Sequence, residues 1–254
     1  MIQTPAATLL PVRRLGVPLM LRVAQGEDAA RAARLMRWWG GDGAARVVAA
    51  DAGALLIERA TGDRNLAQMA RSGQDHAACR ALCAVAARLH RPRAAPPHLV
   101  SLDLWCRDLW PFAAAHGGIA TRAAATARAL LADPQDIRPL HGDLHHGNVL
   151  DFGPRRGCVA INPHALAGER GFDFANIFTN PDLDDPTRPL GTQPPVFHRR
   201  LEVVSAAAGL SKDRLLRWVL AWCELAAAWF AQDDDALIQI DLTVARMAAA
   251  ALDA

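Results

Sequence analysis

A run of ten residues in the second half of the chain restricts its fold more than any other feature of the sequence. It contains Asp143 and Asn148, five residues apart, and reads His141-Gly142-Asp143-Leu144-His145-His146-Gly147-Asn148-Val149-Leu150. Helical periodicity stops here, and two short apolar segments, 149–152 and 158–161, flank a turn at 153–157. Such segments around a turn rich in Gly and Pro predict a β-hairpin. We therefore expect a polar loop that is anchored directly by a hairpin.

Asp143 and Asn148 are the residue types that phosphoryl transfer from a nucleotide requires. A carboxylate accepts or orients the proton of an attacking hydroxyl, and an amide oxygen holds a magnesium ion that bridges the nucleotide phosphates. Their separation is that of the protein-kinase loop H-R-D-x-x-x-x-N. His141 would then brace the loop. A polar turn before a strand explains Asp and Asn alone, but the whole decapeptide in front of a hairpin argues against that simpler interpretation.

The run resembles the Brenner motif of aminoglycoside phosphotransferases. The stretch from Leu140 to Asn176 resembles the streptomycin 6-kinase and hydroxyurea phosphotransferase branch, and residues 168–176 (Gly-Glu-Arg-Gly-Phe-Asp-Phe-Ala-Asn) are especially typical of it. Weaker similarity extends from about Gly16 to the end of the chain, including residues 39–46, 55–59 and 214–229. The resemblance implies an α+β, protein-kinase-like fold of two lobes. It also implies transfer of the γ-phosphate of ATP to a hydroxyl of a small, often cationic, molecule.

The resemblance also assigns roles to individual residues. Asp143 would be the catalytic base, and Asp173 would cap the next helix or hold the catalytic loop through backbone N–H groups. The implied metal ligands for Mg²⁺ are Asn148 and Asn162. The implied nucleotide-binding residues lie in both lobes and are Arg22, Glu58, Arg59, Ala60 and His146. His146 could instead orient the loop together with His145.

The first departure from the family pattern is Asn162. The family has Ile-Asp-Pro after the hairpin, whereas this chain has Ile161-Asn162-Pro163. An amide oxygen can coordinate magnesium but contributes no negative charge. The nearby Asp151-Phe152-Gly153 does not replace it, because it follows Asn148 by only three residues, roughly 10 Å along the outgoing strand.

The other two departures lie near the N-terminus. Arg22 occupies the place of the family's phosphate-binding Lys, and the helical Glu that pairs with this Lys falls near Ala32. Glu27 or Asp28 could replace that Glu only in a different helix register. Only 21 residues precede Arg22, with no Gly-rich turn among them, which predicts a shortened or absent phosphate cover. These departures predict weak or undetectable phosphorylation of streptomycin.

Two hypotheses of function follow from these observations. The first is an ATP-dependent phosphotransferase of the streptomycin 6-kinase type that acts on an aminoglycoside-like molecule. The second is a degenerate relative that binds a ligand or a protein partner without catalysis. Asp182, Asp184 and Asp185, or Asp233-Asp234-Asp235, could line a pocket for a cationic acceptor, although solvated loop charges are the more common explanation. A stripe of Trp218, Trp222 and Trp229 predicts helix core rather than a stacking platform.

Hydrophobic periodicity predicts a reduced N-terminal α/β lobe over residues 1–60. The mainly helical lobe would cover residues 61–254 and contain the loop and hairpin at 140–163. Strands are expected at 9–12, 17–23, 46–50 and 54–58, and helices at 27–39, 75–90, 102–115, 119–132, 196–208, 211–231 and 234–252.

Composition excludes several classes of protein. The formal net charge of +2 gives no overall signal for binding nucleic acid or an anionic membrane. The five cysteines form no CxxC pair, which indicates buried thiols in a reducing compartment. The sequence contains neither a stretch long and apolar enough for a transmembrane segment nor the layout of a signal peptide. Both observations predict a cytoplasmic protein.

Overall fold

The computed structural model of the chain describes residues 1–4, 7–51, 53–232 and 236–254. An antiparallel sheet with strand order β1-β2-β3-β5-β4 forms the first lobe, and helix α1 is inserted between β3 and β4. The elements are β1 (Ile2–Thr4), β2 (Ala7–Arg14), β3 (Val17–Val23), α1 (Glu27–Trp39), β4 (Val47–Asp51) and β5 (Ala54–Glu58).

Helix α1 shows how the sequence builds this lobe. Glu27 and Asp28 lie in its first turn, where acidic side chains are favourable, and Gly40 ends it in the left-handed conformation at φ 61°. Its buried face includes Met36, which packs with Leu55 and Ile57 of β5. The expected helix 27–39 is therefore confirmed.

The expectation for the N-terminus was incomplete. Two strands, β1 and β2, precede the strand that carries Arg22, and Thr8 to Arg14 of β2 pair with β3. The short β1 escaped sequence analysis because three exposed residues show no alternation of polar and apolar side chains. The lobe is small, the strand expected at 9–12 is part of the longer β2, and β1 is an additional strand.

The second lobe is mainly helical. Its largest elements are α3, α6, α8, α9 and α10, which surround one extended hydrophobic core that includes the buried Trp218 and Trp222. The helices are α2 (Leu66–Met69), α3 (Asp75–Leu89), α4 (Leu102–Trp105), α5 (Leu109–His116), α6 (Gly118–Ala132), α7 (Phe172–Ala175), α8 (Pro194–Ala208), α9 (Lys212–Gln232) and α10 (Ile238–Leu252). A π-helical turn (Ala70–Gln74) joins α2 to α3, and a 3₁₀ turn (Cys106–Asp108) separates α4 from α5.

Two small sheets complete this lobe. The predicted hairpin is present as β8 (Val149–Asp151) and β9 (Cys158–Ala160), paired antiparallel. A second sheet has the order β6-β10-β7, formed by β6 (Val100–Ser101), β7 (Ile137–Leu140) and β10 (Leu166–Glu169). The sequence did not predict this sheet, because strands of two to four residues are too short to show a period of two.

The hairpin ties the two lobes together. Ala45 N–H donates to Ala160 O (2.9 Å), and Ala160 N–H donates to Gly43 O (2.8 Å). The Arg156 guanidinium donates to the carbonyl of Gly41 (2.8 Å) and to the carboxylate of Glu58. These contacts hold the connection between the lobes against the segment that carries the catalytic-loop motif.

The remaining sequence expectations concern cysteines and membranes. All five cysteines are free thiols, and burial raises the pKa of Cys79 and Cys106 to about 12, which makes both unreactive. No helix within the described ranges combines the length and hydropathy needed to span a bilayer.

Candidate active site

Asp173, in the first turn of α7, fixes the backbone of the catalytic-loop motif. Its Oδ2 accepts the N–H of His141 (2.9 Å), and its Oδ1 accepts the N–H of Gly142 (2.7 Å). The Nε2 of His90 lies 2.8 Å from Oδ2 and completes its contacts. Burial opposes ionisation of Asp173, but the hydrogen bond and charge of His90 outweigh it and lower the pKa of this carboxyl. The expected loop-holding role of Asp173 is confirmed.

His141 braces the loop from the inside, as expected. Its Nδ1 accepts the N–H of Asp143 (3.2 Å), and its Nε2 lies 2.8 Å from the carbonyl oxygen of Ile161. These partners select the neutral tautomer with the proton on Nε2. Burial lowers the pKa of His141, in agreement with that neutral form. The ring also stacks on Trp39 with centroids 6.4 Å apart.

The Asp143 carboxylate is oriented by two amides. Asn176 Nδ2 donates to Oδ1 (2.7 Å), and Asn148 Nδ2 donates to Oδ2 (2.7 Å). Burial raises the pKa of Asp143, but the nearby imidazoles of His145, then His164, outweigh it, so the pKa lies well below its usual range. Asp143 is therefore ionised at neutral pH and acts only as an acceptor. Its side chain remains 28% exposed, so a ligand can reach it.

Sequence reasoning did not assign Asn176 a role. It ends the family-typical stretch 168–176, and it lies 33 residues from Asp143 along the chain. The contact depends on the fold of β10 and α7 back towards the loop. The sequence signal that could have identified it is its place three residues after Asp173, at the end of the same short helix.

A cavity of about 460 Å³ lies between the first-lobe sheet and the hairpin. The predicted residues that it brings together are Arg22, Glu58, Arg59, Ala60, Asn148 and Asn162. Most of its other lining residues are apolar, and Thr4 and Ala7 of β1 and β2 also contribute. Asp143 lies next to this wall, because its carboxylate accepts a hydrogen bond from the side-chain amide of Asn148. His146 is not among the described residues that line this cavity. It is buried, and neither of its ring nitrogens has a hydrogen-bond partner among the described residues.

Arg22 is a half-buried cation that faces the cavity. It lies in the middle of β3 between Leu9 and Leu55, and burial lowers its pKa. No ion pair joins it to any residue within the described ranges. Ala32 lies in the same cavity wall, as the sequence alignment indicated. Arg22 is therefore free to bind an anion in the cavity.

The acidic residues at the start of α1 do not reach Arg22. The Glu27 carboxylate pairs with Arg34, and Asp28 pairs with Arg31, both on the same helix. The alternative that either residue replaces the missing helical Glu is therefore wrong. The helix register is the one in which Ala32 faces the cavity.

Glu58 has a structural function besides its place in the cavity wall. Its carboxylate accepts the backbone N–H of Arg46 (2.8 Å) and pairs with Arg156 of the hairpin turn. Its own N–H donates to the carbonyl oxygen of Arg46 (3.0 Å). The side chain therefore joins the lobes, and Arg59 and Ala60 continue the wall beside it.

Asn148 and Asn162 offer the oxygen atoms that suit magnesium. The amide nitrogen of Asn148 donates to Asp143 O (2.9 Å) and Oδ2, which directs its amide oxygen away from these bonds. Asn162 follows β9 in the left-handed region at φ 59°, a conformation that Asn tolerates better than most residues. No cluster of three His, Cys, Asp or Glu ligands occurs in the described ranges. The donor set thus fits a metal ion held mainly by phosphate and water oxygens.

Asp151 is occupied elsewhere, in agreement with its exclusion as a metal ligand. Arg64 Nε donates to its Oδ2 (2.9 Å), and Arg64 Nη2 donates to its Oδ1 (3.1 Å). The hydrogen bond from Arg64 is the main cause that lowers the pKa of Asp151 to about 2.

The loop acidic residues differ from one another in environment. Asp182 is fully buried and accepts the backbone N–H groups of Leu190 and Gly191, so its role is structural. The carboxylate of Asp185 accepts a hydrogen bond from the hydroxyl of Thr187 in its own loop. Asp184 is 42% exposed, with Oδ2 at 3.9 Å from His145 Nδ1. Residues 233–235 lie outside the described residues.

Known proteins resemble this chain over most or all of its length. The chain matches the profile of the aminoglycoside/hydroxyurea antibiotic resistance kinases over residues 1–234. The chain belongs to this family. It is 53% identical to streptomycin 3''-kinase of Klebsiella pneumoniae, over 100% of the chain and 96% of that protein. It is 31% identical to streptomycin 6-kinase of Streptomyces griseus, over 90% and 76%.

A solved structure shares the fold. The aminoglycoside phosphotransferase APH(3'')-Id of Streptomyces rimosus, solved in complex with ADP and streptomycin, superposes with a TM-score of 0.54 at 17% identity. The match covers 86% of the chain and 91% of that protein. The expected kinase-like fold, with a small sheet lobe and a helical C-terminal part, is confirmed. As a member of this family the chain is a phosphotransferase with a hydroxyl group as acceptor.

Proposed function

We propose that this chain transfers the γ-phosphate of ATP to a hydroxyl group of streptomycin or a closely similar aminoglycoside. The observation that carries the proposal is the Asp143 carboxylate, ionised and held by Asn148 and Asn176 next to a cavity with a free Arg22. The 53% identity to a streptomycin kinase supports streptomycin as the acceptor. The complex of the S. rimosus protein supports a nucleotide and this antibiotic as ligands.

Each group in the site has a task in this reaction. The acceptor hydroxyl donates its hydrogen bond to Asp143, which receives the proton as the new oxygen–phosphorus bond forms. The bond between the β–γ bridging oxygen and the γ-phosphorus breaks, and ADP leaves with the electron pair. Arg22 contacts the nucleotide phosphates, while Glu58, Arg59 and Ala60 line the adenine end of the cavity. The lobe that covers the nucleotide would span residues 1–60, and residues 61–254 would hold the acceptor.

Magnesium would supply charge neutralisation of the phosphates, with Asn148 and Asn162 as its side-chain ligands. The amide oxygen of Asn148 fits this role, because the described residues engage the amide nitrogen and leave the oxygen without a donor. His146 would support the loop and not contact the nucleotide, because it is buried and is not among the described residues that line the cavity.

The position of the phosphate on the product is the finer part of the proposal. The sequence resemblance favours the 6-hydroxyl, but the relative with 53% identity is a 3''-kinase, whereas the 6-kinase relative has 31%. We therefore propose the 3''-hydroxyl. Nuclear magnetic resonance of the purified product locates the phosphate through its coupling to the sugar proton. Phosphate on the 6-hydroxyl would contradict the position while leaving the reaction class intact.

The second hypothesis, a degenerate binding protein, is favoured by the uncharged Asn162 and by the lack of a carboxylate that pairs with Arg22. It predicts nucleotide-dependent thermal stabilisation without product. An assay of phosphate transfer from labelled ATP to streptomycin separates the two hypotheses, because only an enzyme releases phosphorylated antibiotic.

A further inference from the structure

His164 lies beside the catalytic base but was assigned no role by the sequence. Its Nε2 is 4.0 Å from Asp143 Oδ2, too far for a direct hydrogen bond. Its side chain is 42% exposed, and that of Asp143 is 28% exposed. Both groups therefore face a region that a ligand can enter.

The gap between these two atoms has the size of one hydroxyl oxygen. An oxygen placed about 2.8 Å from both atoms would see them at an angle of about 90°, which two hydrogen bonds at one hydroxyl tolerate. Asp143 Oδ2 already accepts from Asn148 and retains a lone pair for a second donor. A hydroxyl in the gap donates to Asp143 and accepts from the Nε2–H of His164. Its second lone pair remains available for attack on phosphorus.

The backbone around His164 is built to hold this position. The N–H of His164 donates to the carbonyl oxygen of His141 (2.7 Å) inside the catalytic loop. Asn162, two residues before it, and Ala165, directly after it, both have positive φ, at 59° and 61°. Gly142 permits the approach, because a Cβ there would lie 3.0 Å from His164 Cβ. Residues in this strained region persist where the surrounding structure determines them, often at functional sites.

A Trp105 ring supports the imidazole from behind. The centroids of Trp105 and His164 lie 4.9 Å apart, and Trp105 packs edge-to-face on Trp229 at 5.6 Å. The Nε1 of Trp229 is held by Asp108 Oδ2 (3.2 Å). These ring contacts limit the rotation of the His164 side chain, whose Nε2 lies 4.0 Å from Asp143 Oδ2.

His145 is the competing candidate because its Nε2 lies 3.7 Å from the same oxygen. Its side chain is only 14% exposed, however, and its Nδ1 accepts the N–H of Gly147 (3.3 Å). Burial opposes its charge, but Asp143 and Asp184 raise the pKa of His145 overall. His145 therefore lies largely buried beside Asp143, and the more exposed His164 faces the ligand.

We propose that His164 Nε2 and Asp143 Oδ2 form a two-point fork that binds the acceptor hydroxyl, so that His164 contacts the substrate and positions it for transfer. The inference rests on the proposed function, since the hydroxyl belongs to the acceptor of that reaction. The fork contacts the acceptor and not the nucleotide. Its loss should therefore change the KM for the acceptor and not the KM for ATP.

The test compares His164→Ala and His164→Gln with the wild-type enzyme, with streptomycin as the varied substrate. Loss of one hydrogen bond in His164→Ala should raise the KM for streptomycin about tenfold, with the KM for ATP within twofold of wild type. His164→Gln retains an N–H at a similar reach and should recover most of the loss. His76→Ala, on the exposed start of α3, is the matched control and should change neither constant.

Calorimetry of streptomycin binding, in the presence of a non-hydrolysable ATP analogue, gives a second measure that needs no turnover. Weaker binding to His164→Ala, restored in His164→Gln, supports the fork. Turnover by wild type with unchanged constants in His164→Ala overturns the fork while the proposed function stands. Absence of turnover by wild type refutes the proposed function, and the fork then fails as well unless streptomycin binding still depends on His164.

Discussion

At the scale of single residues, Asn162 is the proposed magnesium ligand whose charge can be tested most simply. It lies in the cavity wall with Asn148, and neither residue contributes a negative charge. A carboxylate at this position would attract the ion more strongly, and Asp accepts the left-handed backbone at φ 59° nearly as well as Asn.

Asn162→Asp should therefore strengthen magnesium-dependent nucleotide binding by about tenfold, the equivalent of ~1.4 kcal/mol. Calorimetry with an ATP analogue across a magnesium titration measures this effect. Asn65→Asp adds the same charge at the N-cap of α2 and should leave the affinity unchanged. Equal affinity of wild type and Asn162→Asp at every magnesium concentration would exclude residue 162 from the metal site.

Asp173 is a second residue whose change has a defined result. Its carboxylate accepts two backbone N–H groups and contacts His90 in a fully buried position. Asn would present an amide N–H towards these donors, so Asp173→Asn should lower the free energy of unfolding by ~3 kcal/mol at pH 7. Urea denaturation measures this loss.

The pH dependence of that loss follows from the lowered pKa of Asp173. Stability from a carboxyl with a lowered folded pKa is present above the ordinary value of 3.8 and is lost as the pH falls through the folded value. The difference between wild type and Asp173→Asn should thus shrink as the pH falls below about 4. A difference that stays constant down to acidic pH would show that Asp173 acts through packing alone.

Some of these residues could be predicted from the sequence and others could not. Asp143 and Asn148 lie in one contiguous motif whose spacing indicates their chemistry, and Asp173 was identified through the family resemblance of residues 168–176. Asn176 and His164 reach Asp143 only after β10 and α7 fold back on the loop, and single positions carry no sign of such a contact. Asp182 looked like a candidate for substrate binding but is buried under its own loop.

At the scale of elements, the packing of α9 against α10 buries two carboxyl groups. Glu224 on α9 and Asp241 on α10 have no exposed surface, and their four carboxylate oxygens lack hydrogen-bond partners among the described residues. Burial raises the pKa of Glu224 to about 7, with Arg246 and His116 acting in the opposite direction. Burial, and then the charge of Glu224, raises the pKa of Asp241 well above its ordinary value.

This environment predicts that the helix pair weakens as the pH rises. The unfolded chain ionises Glu224 near 4.5 and the folded chain near 7, so stability present at pH 4 is lost progressively over that interval. The side chain of the Glu224→Gln variant cannot ionise. The free energy of unfolding of the variant, relative to wild type, should therefore be about 1–3 kcal/mol higher at pH 8 than at pH 5.

Thermal denaturation at the two pH values provides the measurement. Glu202→Gln, an exposed carboxyl on α8, is the control and should show no such gain. A gain of equal size at pH 5 and pH 8 would mean that Glu224 is not protonated in the folded state.

Helix and strand positions in the larger elements followed from periodicity. The bounds of α1 were predicted without error, because Gly40 and the acidic first turn mark both of its ends. The expected helix over 102–115 was interrupted instead by a 3₁₀ turn at Cys106–Asp108. Strands β6, β7 and β10 depend on pairing between distant segments, which no local pattern records.

At the scale of the whole molecule, the two lobes close around one cavity. Strands β1 and β2 cover it from the first lobe, and the hairpin closes it from the second, with Arg156 and Glu58 joined between them. The sequence predicted the order of the lobes and a shortened or absent phosphate cover. Together with Asn162 and Arg22, that cover predicted weak activity. Strands β1 and β2 are present, whereas the weak activity expected from Asn162 and Arg22 stays a prediction.

The central claim is that Asp143 serves as the base in phosphate transfer from ATP to streptomycin. Asp143→Asn keeps the shape of the side chain but cannot accept the proton, so it should reduce kcat by about 10²–10⁴-fold while nucleotide binding persists. The direct measurement is the rate of labelled phosphate transfer from ATP to streptomycin by wild type and Asp143→Asn at pH 7.5. The account predicts turnover by wild type and its near loss in the variant. Equal rates for both proteins, or no labelled antibiotic from wild type, would contradict it.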